Sequence, residues 1–123
     1  ETNGGQREID IMEIFGSPTG RPWTATIHHS NSQTNNSFDV DKDTTGWHTY
    51  GLDWQPNYLR WYYDGEFVGE MTGTDASYFN KPMSIRLNFS MDAPWFWQKS
   101  DGTTPNPMFM DVDYVRYWPT KPN

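Results

Sequence analysis

Three acidic residues near the start of the chain, Glu8, Asp10 and Glu13, have types and a spacing suited to acid–base chemistry. In a regular strand Glu8 and Asp10 face one side and Glu13 faces the other, because side chains alternate with a period of two. One extra residue near Met12, a β-bulge, would return Glu13 to the face of the other two. The spacing therefore predicts a bulged strand with all three carboxyl groups on one face. The positions predicted to enter the core are Ile9, Ile11 and Ile14.

The chemistry open to such a trio is cleavage of a glycosidic bond with retention of configuration. Glu8 and Glu13 would lie four strand steps apart, roughly 13 Å between Cα atoms. Their carboxyl groups could approach to roughly 5 Å, the separation typical of retaining glycosidases. Because three close carboxyl groups cannot all ionise cheaply, at least one pKa should rise. We predict that Glu8 is the nucleophile, Glu13 the general acid and base, and Asp10 a proton holder that orients Glu8. For an isolated pattern of this kind, the alternative is a solvated strand face with inert carboxylates.

The elements expected to position these residues are strands, since helical signals are weak. The Asp64-Gly65 pair is the strongest hairpin signal in the chain. Strands are predicted over residues 8–15, 23–28, 47–54, 58–63, 66–71, 84–90 and 108–118. Residues 29–37 and 91–107 are predicted loops. Short strands with Gly and Pro between them indicate an all-β antiparallel sandwich or jelly roll, formed as one domain over residues 1–123.

Composition narrows the class of ligand. The net charge of −7 argues against nucleic acid and anionic membranes and favours a neutral partner. The sequence contains no run approaching the roughly 18 apolar residues of a membrane span, and it has no Cys for disulfides or thiolate metal sites. Seven Trp in 123 residues suggest that some rings stack on a ligand. The candidates for stacking on pyranose rings, each equally consistent with the core, are Trp23, Trp95 and Trp97.

Segments along nearly the whole chain match the motifs of one enzyme family, in that family's order. They are residues 8–16, 26–28, 47–54, 59–65, 86–88 and 110–116. Through them the sequence resembles glycoside hydrolase family sixteen, the group of laminarinases, lichenases, agarases, carrageenases and xyloglucan-active enzymes. The extra residue within residues 8–16 is typical of its laminarinase-like members.

The resemblance implies a concanavalin-like β-jelly-roll with a sugar-binding groove along its concave sheet, and no cofactor for catalysis. It marks His28 and Asn88 as groove residues near the cleaved bond, although a structural histidine is the alternative for His28. Arg86 shares a face with Asn88 by alternation and could contact a sulfate or carboxylate. Asp113 stands where many members bind a structural calcium ion, although a plain hydrogen-bond acceptor is the alternative there.

Members of the family are much longer than this chain, which resembles their C-terminal half. A missing N-terminal half would leave sheet edges without partner strands. We therefore expect the chain to fold only with a complementary N-terminal segment, a second chain or a swapped copy. We also expect a secreted or extracellular protein.

The predicted function is that of a retaining endo-β-glycosidase acting on a neutral polysaccharide. The bulged motif favours a laminarin-type β-1,3-glucan, with agarose or another galactan as the second choice. A non-catalytic carbohydrate-binding module is the rival class, but a binding groove does not need three crowded carboxylates. A transglycosylase would share every feature named above, and an inactive structural fragment is a further alternative.

Overall fold

The fold consists of two three-stranded antiparallel sheets, seen in a computed structural model that describes residues 7–15, 22–29, 36–92, 94 and 99–120. Sheet A has the order β1-β2-β3, and sheet B has the order β4-β5-β6. The strands are β1 (Arg7–Glu13), β2 (Trp23–His29), β3 (Asn36–Val40), β4 (Tyr50–Gln55), β5 (Tyr58–Tyr63) and β6 (Glu66–Thr72), and one short helix, α1 (Thr74–Ser77), follows them. In the described ranges, no helix is long and apolar enough to cross a membrane. The prediction of an all-β antiparallel fold is confirmed.

Sheet A buries one face through every second residue of its central strand. Trp23, Ala25 and Ile27 of β2 are fully buried. Thr24 and His28 alternate with them and point to the opposite, outward face. The outward face of sheet A is therefore polar, and it is the face on which the predicted carboxylates should lie.

Sheet B is a meander whose second turn was predicted from the Asp-Gly pair. Asp64 and Gly65 have positive φ angles of 48° and 81°, as a tight hairpin turn requires. The Asp64 carboxylate fixes this turn by accepting a hydrogen bond of 2.8 Å from the Thr49 backbone N–H. Along β5, Leu59, Trp61 and Tyr63 are buried in alternation.

Aromatic rings fill the space between the sheets. The Trp23 ring packs edge-on against Tyr50 and nearly parallel to Tyr63, with centroid distances of 5.5 and 6.4 Å. Trp61 meets Phe38 edge-on at 5.4 Å and donates a hydrogen bond from Nε1 to the backbone oxygen of Asp10, at 3.2 Å. Sheet B is thus attached to the acidic strand through the core.

Several predicted boundaries and positions are corrected by the structure. Residues 84–90 and 108–118 lie outside both sheets, because a strand needs a backbone partner and the described ranges supply none for them. β3 is not among the predicted strands, because its polar residues Asn36 and Ser37 are typical of a loop. β4 begins at Tyr50 rather than at residue 47. Ile9 and Ile11 pack against the core as predicted, but Ile14 follows the end of β1 and is 36% exposed.

Candidate active site

A β-bulge in β1 brings the three acidic residues to one face of sheet A. Glu8 pairs with His28, Asp10 with Thr26 and Glu13 with Thr24, and the register shifts between Asp10 and Glu13. Three residue steps on β1 therefore match two steps on β2, which is the predicted extra residue. Ile11 and Met12, the two residues of the bulge, both pack against the core. Because His28 and Thr24 are four residues apart, Glu8 and Glu13 are separated by four strand steps, roughly 13 Å between Cα atoms.

Asp10 is the most perturbed of the three carboxyl groups. Its side chain is 15% exposed. Burial, followed by the negative charges of Glu13 and Glu8, raises the pKa of Asp10 from 3.8 to about 6, while His28 acts in the opposite direction. Asp10 therefore carries its proton under mildly acidic conditions, where an ordinary Asp would be ionised. At least one pKa in the trio is raised, as expected, but burial contributes more to the rise than the crowding of the carboxyl groups does.

His28 lies beside this carboxyl group on the neighbouring strand. Its Nε2 is 3.0 Å from Asp10 Oδ2, a distance that suits an ion pair when the imidazole is protonated. Asp10 Oδ2 is buried and has no well-aligned hydrogen-bond donor among the described residues. One ligand atom each from Asp10, Glu13 and His28 lies within 4.8 Å of the others. Such a group could hold a metal ion, but acidic groups of this kind also occur without one, and glycosidic cleavage requires only the carboxyls.

Residues of β2 and β3 extend the same face and were not singled out from sequence. Thr26, opposite Asp10, is 6% exposed. Thr24 donates a hydrogen bond from Oγ1 to Asp39 Oδ1 at 3.2 Å, which places Asp39 of β3 on this face. The alternation of Trp23, Ala25 and Ile27 would have identified the two threonines from sequence. Asp39 could not be placed, since β3 itself was not predicted. We call the outward surface formed by Glu8, Asp10, Glu13, His28 and Asp39 the acidic face.

Trp23 is a correction to the predicted site. It was a candidate for stacking on sugar, but its side chain is fully buried between the sheets. The reason is its position on β2, where it shares the inward face with Ala25 and Ile27. The other two stacking candidates, Trp95 and Trp97, lie outside the described residues.

Arg86 and Asn88 are not brought to the carboxylates by the sheets that the structure describes. Both are exposed and lie in the stretch after α1 that enters neither sheet. Neighbouring apolar side chains are also exposed, with Ile85 at 62% and Leu87 at 57%. Their proposed contacts with substrate therefore stay predictions.

Asp113, the calcium candidate, is exposed in the stretch from 108 to 118. Calcium takes about six to eight oxygen ligands in proteins. Within the part of the chain that the structure describes, the acidic and histidine side chains grouped closely enough to share an ion are Asp10, Glu13 and His28, and Asp113 does not belong to that group. A structural calcium ion at Asp113 therefore stays a prediction.

Comparison with known proteins shows which family and which proteins the chain is similar to. The model of the family Glycosyl hydrolases family 16 matches residues 1–116. A kappa-carrageenase from Pseudoalteromonas carrageenovora is 30% identical over 138 residues, which cover 90% of this chain and 33% of that protein. A beta-glucanase from Paenibacillus macerans is 31% identical over 114 residues, covering 89% of this chain and 45% of that protein.

A similar solved structure is that of an endo-beta-1,3-glucanase from Pyrococcus furiosus. It has a TM-score of 0.45 and 29% sequence identity, and the match covers 57% of this chain and 29% of that one. The chain spans less than half the length of each of these three proteins.

Proposed function

Because the chain belongs to glycosyl hydrolase family 16, we propose that it cleaves internal β-glycosidic bonds of a polysaccharide with retention of configuration. The observation that supports this most directly is the bulge in β1, which places Glu8, Asp10 and Glu13 on one face. A regular strand of the same sequence would direct Glu13 into the core.

The proposed reaction has two steps. In the first, the Glu8 carboxylate bonds to the anomeric carbon while Glu13 gives its proton to the departing glycosidic oxygen. In the second, Glu13 takes a proton from water, the water oxygen attacks the same carbon, and the bond to Glu8 breaks. Each displacement inverts the carbon, so two displacements retain its configuration.

Asp10 has a supporting role between the two glutamates. Its pKa of about 6 keeps the carboxyl protonated at mildly acidic pH. A protonated carboxyl can donate a hydrogen bond, and we propose that Glu8 accepts it and is held in position for attack. His28, 3.0 Å from the Asp10 carboxyl, would orient the latter from the other side.

The proposed substrate is a neutral polysaccharide, with a laminarin-type β-1,3-glucan first and agarose or another galactan second. The acidic face supports neutrality, because its carboxylates would repel sulfate or carboxylate groups on a sugar. The name of one similar protein, a beta-glucanase, agrees with a glucan. The name kappa-carrageenase points to a different polymer. Since an intact polysaccharide does not enter cells, the proposal includes secretion.

Release of reducing sugar from laminarin, lichenan, agarose and carrageenan tests this function. The chain is compared with Glu8→Gln, which keeps the size of the side chain and removes its charge. We expect release from the neutral glucans with retained anomeric configuration, and its loss in Glu8→Gln. Inversion would refute the role of Glu8. Binding without release, unchanged by the substitution, would instead favour a carbohydrate-binding module, and new longer products would favour a transglycosylase.

We further propose that an N-terminal segment, a second chain or a swapped copy covers the stretches that lie outside the sheets. Their apolar side chains are exposed in large numbers, and exposure on this scale marks a surface meant for contact. Examples are Phe89, Phe109, Val115 and Tyr117, which are 48–77% exposed. Sedimentation and urea unfolding of the 123-residue chain test this. We expect self-association or a broad transition, and a monomer with one cooperative transition would contradict the proposal.

A further inference from the structure

A second β-bulge shapes the outward face of sheet B, on the opposite side of the core from the acidic face. Trp61 pairs with Gly69, whereas its neighbour Tyr62 pairs with Phe67, so that Val68 is the extra residue. Val68 packs against the core. As a result Phe67 stands beside Tyr62, and Glu70 stands beside Arg60, all on the outward face.

Four side chains line a shallow depression of about 360 Å³ that is wide open to solvent, which we call the outer hollow: Arg60, Tyr62, Phe67 and Glu70. The rings of Tyr62 and Phe67 lie 6.0 Å apart at an angle of 74° and form a corner. Phe67 is 51% exposed. An exposed phenyl ring at this position contributes little to folding, and its burial against a ligand would be favourable.

The polar side of the outer hollow is fixed in place. Arg60 Nε donates a hydrogen bond of 2.8 Å to Glu70 Oε2, and its guanidinium carbon lies 4.1 Å from the centre of the Tyr58 ring. This ion pair adds no net charge. The hydrogen bond between the two side chains uses one of the five N–H donors of a guanidinium and one acceptor site of a carboxylate. Other donors of Arg60 and acceptors of Glu70 therefore lie beside the aromatic corner.

This combination fits one class of ligand. A pyranose ring has an apolar C–H face, which can lie on an aromatic ring, and a rim of hydroxyl groups, which can both donate and accept hydrogen bonds. Phe67 and Tyr62 supply the first contact, and Arg60 with Glu70 supplies the second. A polyanion would need an excess of positive charge, and the ion pair supplies none.

We propose that the outer hollow is a second, non-catalytic binding site for a sugar unit of a neutral polysaccharide. The identity of that polysaccharide rests on the proposed function, whereas the existence of the site rests on the hollow alone. Packed sheets are separated by about 10 Å, and the hollow opens away from the acidic face. It would therefore hold a different strand of polysaccharide, or a different branch, from the one being cleaved.

Affinity electrophoresis through gels containing laminarin, lichenan or agarose tests the site. The measurement is made in the Glu8→Gln background, so that the polysaccharide stays intact, with the complementary segment present if folding requires it. Phe67→Ala and Tyr62→Ala each remove one ring from the corner. Phe67→Tyr is the matched control, because it keeps the ring. We expect either alanine variant to weaken retardation by about 5- to 10-fold in apparent Kd and the tyrosine variant to keep it.

Unchanged retardation in both alanine variants would overturn the proposal, as would the lack of retardation in all three gels before any ring is removed. Near-UV circular dichroism confirms that the variants are folded. The two proposals fail separately. Weaker retardation on loss of Phe67, together with hydrolysis that Glu8→Gln does not affect, would leave the outer hollow standing and remove the catalytic assignment. If retardation stays normal after the loss of either ring and Glu8→Gln abolishes hydrolysis, the catalytic assignment stands and the outer hollow is removed.

Discussion

Sheet A and sheet B are built alike, with three antiparallel strands and one bulge each, yet their outward faces carry different chemistry. The bulge in β1 gathers carboxyl groups, and burial together with the charges of Glu13 and Glu8 raises the pKa of Asp10. The bulge in β6 gathers aromatic rings beside a neutral ion pair. In both cases the extra residue packs inward, at Ile11 and Met12 in one sheet and at Val68 in the other. A bulge thus determines which side chains lie next to each other, and the chemistry of those side chains determines whether the surface suits catalysis or binding.

The largest expected effect comes from removing Glu13, an acid of sheet A, and removal of an acid of sheet B serves as its control. Glu13→Gln should lower kcat by about 10²–10⁴-fold, because a general acid and base contributes about that much. Glu66→Gln, an exposed acid of sheet B that pairs with Lys42, is the matched control and should leave kcat within about a factor of two, since surface substitutions of this kind have small effects. Comparable losses of kcat in the two variants would mean that the acidic face is not the active site.

The second prediction concerns the cost of holding Asp10 on the acidic face. A carboxyl whose pKa is raised from 3.8 to about 6 stabilises the folded state below pH 3.8, and this stabilisation is lost as the pH rises through 6. At pH 8 the ionised Asp10 therefore costs up to about 3 kcal/mol. Asp10→Asn should raise the free energy of unfolding at pH 8 by up to that amount, while activity falls. The measurement is urea unfolding at pH 4 and pH 8, and equal gains at both would contradict the assignment.

A third substitution addresses the connection between the sheets. Trp61→Phe removes the hydrogen bond from Nε1 to the Asp10 backbone oxygen. A hydrogen bond contributes about 0.5–1.5 kcal/mol net to stability, and the free energy of unfolding should fall by about that amount. Phe67→Tyr on the outward face is the reference and should change it by less than about 0.5 kcal/mol. If Trp61→Phe proves equally mild, the two sheets are not coupled through this bond.

The smallest effect is expected at Gly69 of sheet B, which lies close to Phe38 of sheet A. A Cβ added at Gly69 would lie 2.6 Å from two ring atoms of Phe38, so Gly69→Ala should cost about 1 kcal/mol through displacement of that ring. A Cβ at Gly51 would meet its nearest neighbour, Tyr62 Cβ, at 3.5 Å, an ordinary contact. Gly51→Ala should leave the melting temperature unchanged or slightly raised. A larger loss at Gly51 than at Gly69 would contradict the packing described for the interface.

Sequence reasoning succeeded where the signal was local. The all-β class, the hairpin at Asp64-Gly65 and the bulge in β1 each follow from the spacing of a few neighbouring residues. The bulge in β6 was missed, although the same parity argument applies to it. Val68 and Met71 are both directed inward at an odd separation, which a regular strand does not allow.

Features that depend on distant partners were predicted less well. Alternation marked residues 84–90 and 108–118 as strands, but alternation says nothing about which strand lies alongside. β3 was missed because its polar residues resemble a loop until β2 is placed next to it. The position of Trp23 could not be predicted for the same reason. A tryptophan is equally consistent with a sugar-binding surface and with a core until the partner sheet is known.

The bulge in β1 also allows one constellation to be encoded by two chain lengths. Deleting a residue from a strand ordinarily turns every following side chain to the other face. Deleting Met12 would instead give Glu-Ile-Asp-Ile-Glu, in which the regular period keeps the last acid on the same side as the first two and still four steps from the first. Loss of the codon for Met12 would therefore leave the side chains that follow on the same faces as before. During evolution the site could gain or lose this residue without passing through a form that lacks its third carboxylate.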